Sequence, residues 1–103
     1  ESQVSAFVER LLGGTDSAQV IAEALAQAEA ASQAGDITLA AEIYAAIIQE
    51  DEGNTAAIAG LARCYLANGD TARALATLDL VPEAKRNESV VKSVRLAIEM
   101  AAD

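Results

Sequence analysis

Two Gly-Asp pairs, Gly35-Asp36 and Gly69-Asp70, stand 34 residues apart in otherwise helical sequence. Ala40 and Ala74, each four residues behind its Asp, keep the same interval. Glycine permits the positive φ that closes a helix at C′, where a Cβ costs about 1 kcal/mol or more. Aspartate is a good N-cap, and its charge favours the first turn of a helix. The dipeptide therefore stops one helix and starts the next, the shortest route to an antiparallel helical hairpin. Two of them at a fixed interval, each followed by Ala four residues on, point to repeated hairpins, the alternative being an unrelated helical bundle with coincidental spacing. No segment alternates with period 2, as a half-buried strand would.

Composition agrees with close-packed helices. The 103 residues are 52% hydrophobic, about a quarter are Ala, and only 3% are aromatic. A single small domain of this length buries about two-thirds of its unfolded surface. The longest uncharged apolar run is too short for a bilayer. The chain has no signal-peptide pattern and does not begin with Met, so it reads as a piece excised from something longer. A net charge of −9 without His repels a phosphate backbone and an anionic lipid surface, which argues against nucleic-acid and membrane partners. The one cysteine, Cys64, cannot form an internal disulfide and fits a reducing compartment such as the cytoplasm.

Along the chain, Val4, Phe7, Val8, Leu11 and Leu12 form one helical stripe that Gly13-Gly14 ends. Asp16 with Gln19 makes a capping box for a helix to about Ala34. Asp36 caps its partner. Thr55 or Asn54 caps a helix from about Ala56 to Asn68, and Pro82 cuts short the helix that Asp70 starts. A last helix over about 88–102, capped by Asn87, places Val91, Val94, Ile98 and Ala101 on one face.

A two-helix hairpin repeated every 34 residues resembles the tetratricopeptide repeat. With the turn Gly at position fifteen, the first repeat runs 21–54 and the second begins at Thr55, giving way at about residue 82. Position eight, small in this family, is Ala28 and Ala62; position twenty, where helices cross closely, is Ala40 and Ala74. Position twenty-four is Tyr44 and Leu78. Departures are Gln27 at position seven, Ala31 at eleven and Glu52 at thirty-two, and the second repeat departs most because Pro82 comes early. The resemblance implies an all-α fold of antiparallel hairpins stacked as a short right-handed solenoid.

A narrower resemblance lies at the start. "ESQVSAFVERLL" is similar to the last helix of a thioredoxin domain, and with "DEGNTAAIAGLARCYLANGD" and "LVPEAKRN" the chain resembles the chaperedoxins, bacterial thioredoxin-fused co-chaperones. On that likeness residues 1–14 are the tail of a thioredoxin domain and 15–103 the tetratricopeptide domain. It implies a non-catalytic, cytoplasmic adaptor that binds unfolded client proteins and the chaperonin. The alternative is a scaffold for self-assembly or another protein complex, without a chaperone role.

Few residues invite chemistry. There is no His for metal binding or base catalysis and no Gly-rich phosphate loop, so no catalytic, metal or cofactor site is expected. Glu50, Asp51 and Glu52 point in different directions on a helix and read as a solvated end. Tyr44 and Tyr65 read as packing residues in place of ligand-binding ones, and Cys64 as inert packing in place of a redox sensor. Solenoids bind along the face built by their A helices. That face holds Leu25, Glu29, Ala59, Arg63 and Leu66, the candidate protein-binding residues. With Arg63 as its only cation it lacks the clamp that related domains use for a chaperone's terminal carboxylate. Low in charge and weakly apolar, it suits an apolar helix or strand. For Leu25 and Leu66, packing on a neighbouring helix is an equal reading. The stripe of residues 3–12 is expected to cap the first hairpin or to pair with a second copy as a homodimer.

Overall fold

The computed structural model describes residues 17–102, so the stripe of residues 3–12, the Asp16 cap and the domain boundary at residue 14 lie outside the described part. The elements are α1 (Ser17–Gln33), α2 (Ile37–Glu50), α3 (Thr55–Ala67), α4 (Thr71–Leu78), a 3-10 turn (Glu83–Lys85) and α5 (Ser89–Ala102). Each α-helix packs against the next, α5 lies against both α3 and α4, and α1 also touches α3.

Both Gly-Asp junctions have the geometry the sequence demands. Gly35 and Gly69 take φ of +88° and +81°. At the first, the Asp36 amide donates to the Ala31 carbonyl at 2.8 Å and the Gly35 amide to that of Ser32 at 3.1 Å, a Schellman motif. The Asp36 carboxylate then accepts from the Leu39 amide at 3.2 Å, capping α2. The second junction repeats this. Asp70 donates to the Tyr65 carbonyl at 2.9 Å and Gly69 to Leu66 at 2.9 Å, while Asp70 accepts from the Arg73 amide at 3.1 Å. One aspartate thus finishes a helix with its amide and starts another with its side chain.

Elsewhere the caps resolve or correct the sequence reading. Asn54 caps α3, accepting from the Ala57 amide at 2.9 Å. Thr55 becomes the first helical residue, and its hydroxyl is buried without a hydrogen-bond partner. For α5 the cap position belongs to Glu88 and not to Asn87. The first helical bond runs from the Lys92 amide to the Glu88 carbonyl at 3.1 Å, and Asn87 is spent in the turn after the 3-10 segment. Ala101 is exposed, off the buried face of Val91, Val94 and Ile98. α4 spans only 8 residues against 14 for α2, as the early proline foreshadows. Arg86 closes the chain after α4, donating to the carbonyls of Val81 and Asp79, each at 3.0 Å.

Two cores share α3. One joins Ala24 and Ala28 of α1, Ala40, Ile43, Tyr44 and Ile47 of α2, and Ala57 and Cys64 of α3. The other joins Ile58, Ala59 and Ala62 of α3 to Ala74, Leu78 and Val81 and to Val91, Val94 and Ile98 of α5. Ala28, Ala62, Ala40 and Ala74 are all fully buried, so the small residues stand at the close crossings where the register puts them.

Candidate protein-binding groove

The 34-residue interval extends one helix beyond the two hairpins. Counted from Ser89, α5 is a third A helix in phase: Ala22, Ala56 and Val90 occupy position two of α1, α3 and α5. Those three residues line one groove of about 290 Å³. Leu25 and Ala26 add to the α1 wall, and Glu29 and Arg63 stand on opposite walls. The floor is Tyr44, reaching from α2 behind.

A glycine admits that ring. A Cβ on Gly60 would collide with the far end of the Tyr44 ring. Tyr44 is 4% exposed, so its ring is held in the crossing of α2 with α3. Burial pushes its phenol above the ordinary value. Glu29 and Cys64 add to the rise and Arg63 opposes it. The floor is therefore a neutral aromatic surface at any physiological pH, with both signs of charge on the walls above it. Among the described residues the ion pairs are Arg73 with Asp70 at 3.5 Å and Arg95 with Asp79 at 3.9 Å. Neither involves Glu29 or Arg63, both exposed.

Three of the five candidates from sequence, Leu25, Glu29 and Arg63, come together here. Ala59 does not join them, because it is 1% exposed within the second core. Leu66 is half-buried and packs on that core. Leu25 serves both readings, packing against the first core while lining the groove. Sequence reasoning missed Tyr44 as floor and Val90 as wall; the signal for Val90 was its interval of 34 from Ala56. A second hollow of about 290 Å³ lies between α2 and α3, lined by Ile37, Ala41, Leu61, Cys64 and Tyr65 among others. Burial raises the Cys64 thiol above its ordinary value, so it stays protonated and poorly nucleophilic there. Among the described residues no group of His, Cys, Asp or Glu could hold a metal ion, and no helix is long and apolar enough to cross a membrane.

Sequential helical hairpins, crossing on small residues and opening a groove along their A helices, define a helical-repeat protein of the solenoid type. The family model for the tetratricopeptide repeat matches residues 31–98, and the chain belongs to that family. Such modules are in general sites of protein–protein interaction. No curated protein and no solved structure matches the chain.

Proposed function

We propose that the chain is the non-catalytic protein-binding module of a bacterial, cytoplasmic, thioredoxin-fused co-chaperone, and that its groove takes apolar segments of unfolded clients or of the chaperonin. The observation that supports binding is the groove itself. Its walls are short apolar side chains from three A helices, its floor is aromatic, and its charges are one acid and one base. Short walls accept bulky side chains, and the apolar contact comes from Ala22, Leu25, Ala26, Ala56 and Val90 above the buried Tyr44 ring. The co-chaperone context rests on the resemblance of the first twelve residues and the "GLARCYLANGD" block to the chaperedoxins.

Arg63→Glu tests the groove. It sets a second negative charge against Glu29 in a chain already at −9. Titration calorimetry with a reduced, alkylated unfolded protein should then give weaker binding at unchanged helicity. Equal affinity places the site elsewhere. Chaperonin capture by the chain, and a thioredoxin domain encoded upstream, test the context.

The self-assembly reading draws on a different feature. Leu96 and Met100 are 57% and 69% exposed on α5. Leu96 holds the position at which Ala28 and Ala62 pack on their own B helices. A further helix, from the same protein or a copy, would fit that face. Sedimentation of Leu96→Glu against wild type separates this from client binding.

A further inference from the structure

The groove is apolar at one end and polar at the other. Ala22, Ala56 and Val90 stand at position two, and Glu29 and Arg63 at position nine. From Ala22 to Glu29 the helix rises about 10 Å. Glu29 lies on the α1 wall and Arg63 on the α3 wall, and neither belongs to an ion pair among the described residues. A third polar group stands between them. The far end of the Tyr44 ring, which carries the hydroxyl, is the part that Gly60 admits at position six of α3. No side-chain hydrogen bond among the described residues uses that hydroxyl. Among them only the Thr55 hydroxyl is both sealed from water and without a partner. The Tyr44 oxygen, also without a partner, therefore opens on the groove it floors. Glu29 pushes this phenol up and Arg63 pulls it down, so both charges act on one group. A side chain only 4% exposed, with its hydroxyl unused inside the protein, is a hydrogen-bonding group held ready for a ligand.

We propose that Tyr44, Glu29 and Arg63 form a polar subsite for one kind of peptide: an extended segment of an unfolded protein in which an adjacent base and acid lie three positions from apolar residues. The proposal deepens the binding reading and rests on it. An extended chain sends successive side chains to opposite sides and rises about 3.3 Å per residue. Laid between the two walls, it sets a Lys against Glu29 and the neighbouring Glu against Arg63. Three residues along, about 10 Å, its apolar side chains reach the level of Ala22, Ala56 and Val90. With side chains toward the walls, its carbonyls face floor and mouth, and the Tyr44 hydroxyl donates to one of them. Two charges of the same sign would meet repulsion on one wall. The net charge of −9 would by itself favour a doubly basic segment. At physiological salt, exposed charges beyond about 8 Å are largely screened, so the pair on the walls decides.

The test uses the full chain and capped, dye-labelled peptides of the form Leu-Phe-Ser-X-X-Ser, with Lys-Glu, Lys-Lys, Glu-Glu or Ser-Ser at X-X. Binding is followed by fluorescence anisotropy at about 0.15 M salt. The Lys-Glu peptide should bind about fivefold more tightly than the other three. Glu29→Lys should turn the preference to Glu-Glu, Arg63→Glu should turn it to Lys-Lys, and the two together should restore Lys-Glu. Tyr44→Phe should weaken all four alike, about fivefold, with Lys-Glu still first. Glu29 and Arg63 are exposed, and Tyr44→Phe keeps the ring, so these variants should fold. A wild-type preference for Lys-Lys, a preference that the charge reversals leave in place, or full-strength binding by Tyr44→Phe would overturn the proposal. Ala26→Phe, at another exposed position, fills the groove without changing its charge. Four peptides that bind alike, and that Ala26→Phe weakens alike, sink the polar subsite alone. Binding by none, or binding that Ala26→Phe leaves unchanged, sinks the groove reading and the subsite with it.

Discussion

Gly60→Ala sets two effects of opposite sign against each other. Replacing a mid-helix glycine by alanine gains about 1 kcal/mol of helix propensity. The new Cβ, however, meets the far end of the Tyr44 ring at a separation real Cβ atoms do not show. Overpacking of this kind costs about 1–3 kcal/mol. Tyr44 is 4% exposed and wedged among α1, α2 and α3, so the ring can yield only toward the groove it floors. With the ring unable to retreat, the cost sits in the upper part of that range, about 2–3 kcal/mol, so the clash wins and the variant should lose about 1–2 kcal/mol net, or some 4–8 °C in Tm per kcal/mol for a domain of this size. Urea melts followed by far-UV circular dichroism would measure it. The control is Tyr44→Leu, which removes the ring atoms that meet the Cβ. In that background Gly60→Ala should become neutral or stabilising. A Gly60→Ala chain as stable as wild type, or an equal loss in both backgrounds, would refute the reasoning.

The remaining expectations follow from burial. Ala40→Leu and Ala74→Leu, each at a fully buried crossing, should lose about 1–3 kcal/mol in the same melts, and wild-type midpoints would remove the register assigned to them. Thr55→Val should gain about 1 kcal/mol by replacing a buried hydroxyl that has no partner; a loss would mean that the hydroxyl is satisfied by water. Burial raises Cys64 above its ordinary 9.0 and Tyr44 above 10.0, so the unfolded chain releases these protons first as pH climbs. Stability they contribute is whole below about pH 9 and is lost as pH rises through the two folded values. Tm of Cys64→Ala/Tyr44→Phe should fall less than wild type over about pH 9–11, and parallel curves would count against the burial assigned to these groups.

Much of the hairpin design was legible because it rests on backbone chemistry confined to a few residues. Gly35-Asp36 announces a Schellman turn and a cap whatever surrounds it, and so does Gly69-Asp70. The phase of α5 was harder to read. Its position eight is Leu96 where a small residue is expected, and position fifteen falls on Asp103, with no glycine to mark a turn. The 34-residue ladder of Ala22, Ala56 and Val90 carried the information, but alanine is too common here to draw the eye. The Asn87 assignment failed for a different reason. Preference for Asn at a cap is a local tendency, and the 3-10 turn after Pro82 had already fixed where the chain could enter a helix.

Ala59 failed because a repeat register treats every helix as equivalent, whereas a short stack has ends. Position five of α1 is Leu25, at the edge of the groove, since nothing described packs ahead of α1. Position five of α3 is Ala59, and α3 is flanked by α2 on one side and α4 and α5 on the other, so the same position is buried. The middle helix can then open a groove only by leaving something out. Position six is Ala26 in α1 and Val94 in α5, but Gly60 in α3. The missing side chain lets the Tyr44 ring advance from the layer behind and replaces what would be a methyl surface with an aromatic floor. Fold and site therefore depend on the same absent Cβ. A residue that restores it should close the groove as it strains the crossing, so Gly60→Ala should weaken binding in the groove as well as stability, whereas Ala74→Leu, in the second core and not among the groove-lining residues, should affect stability alone.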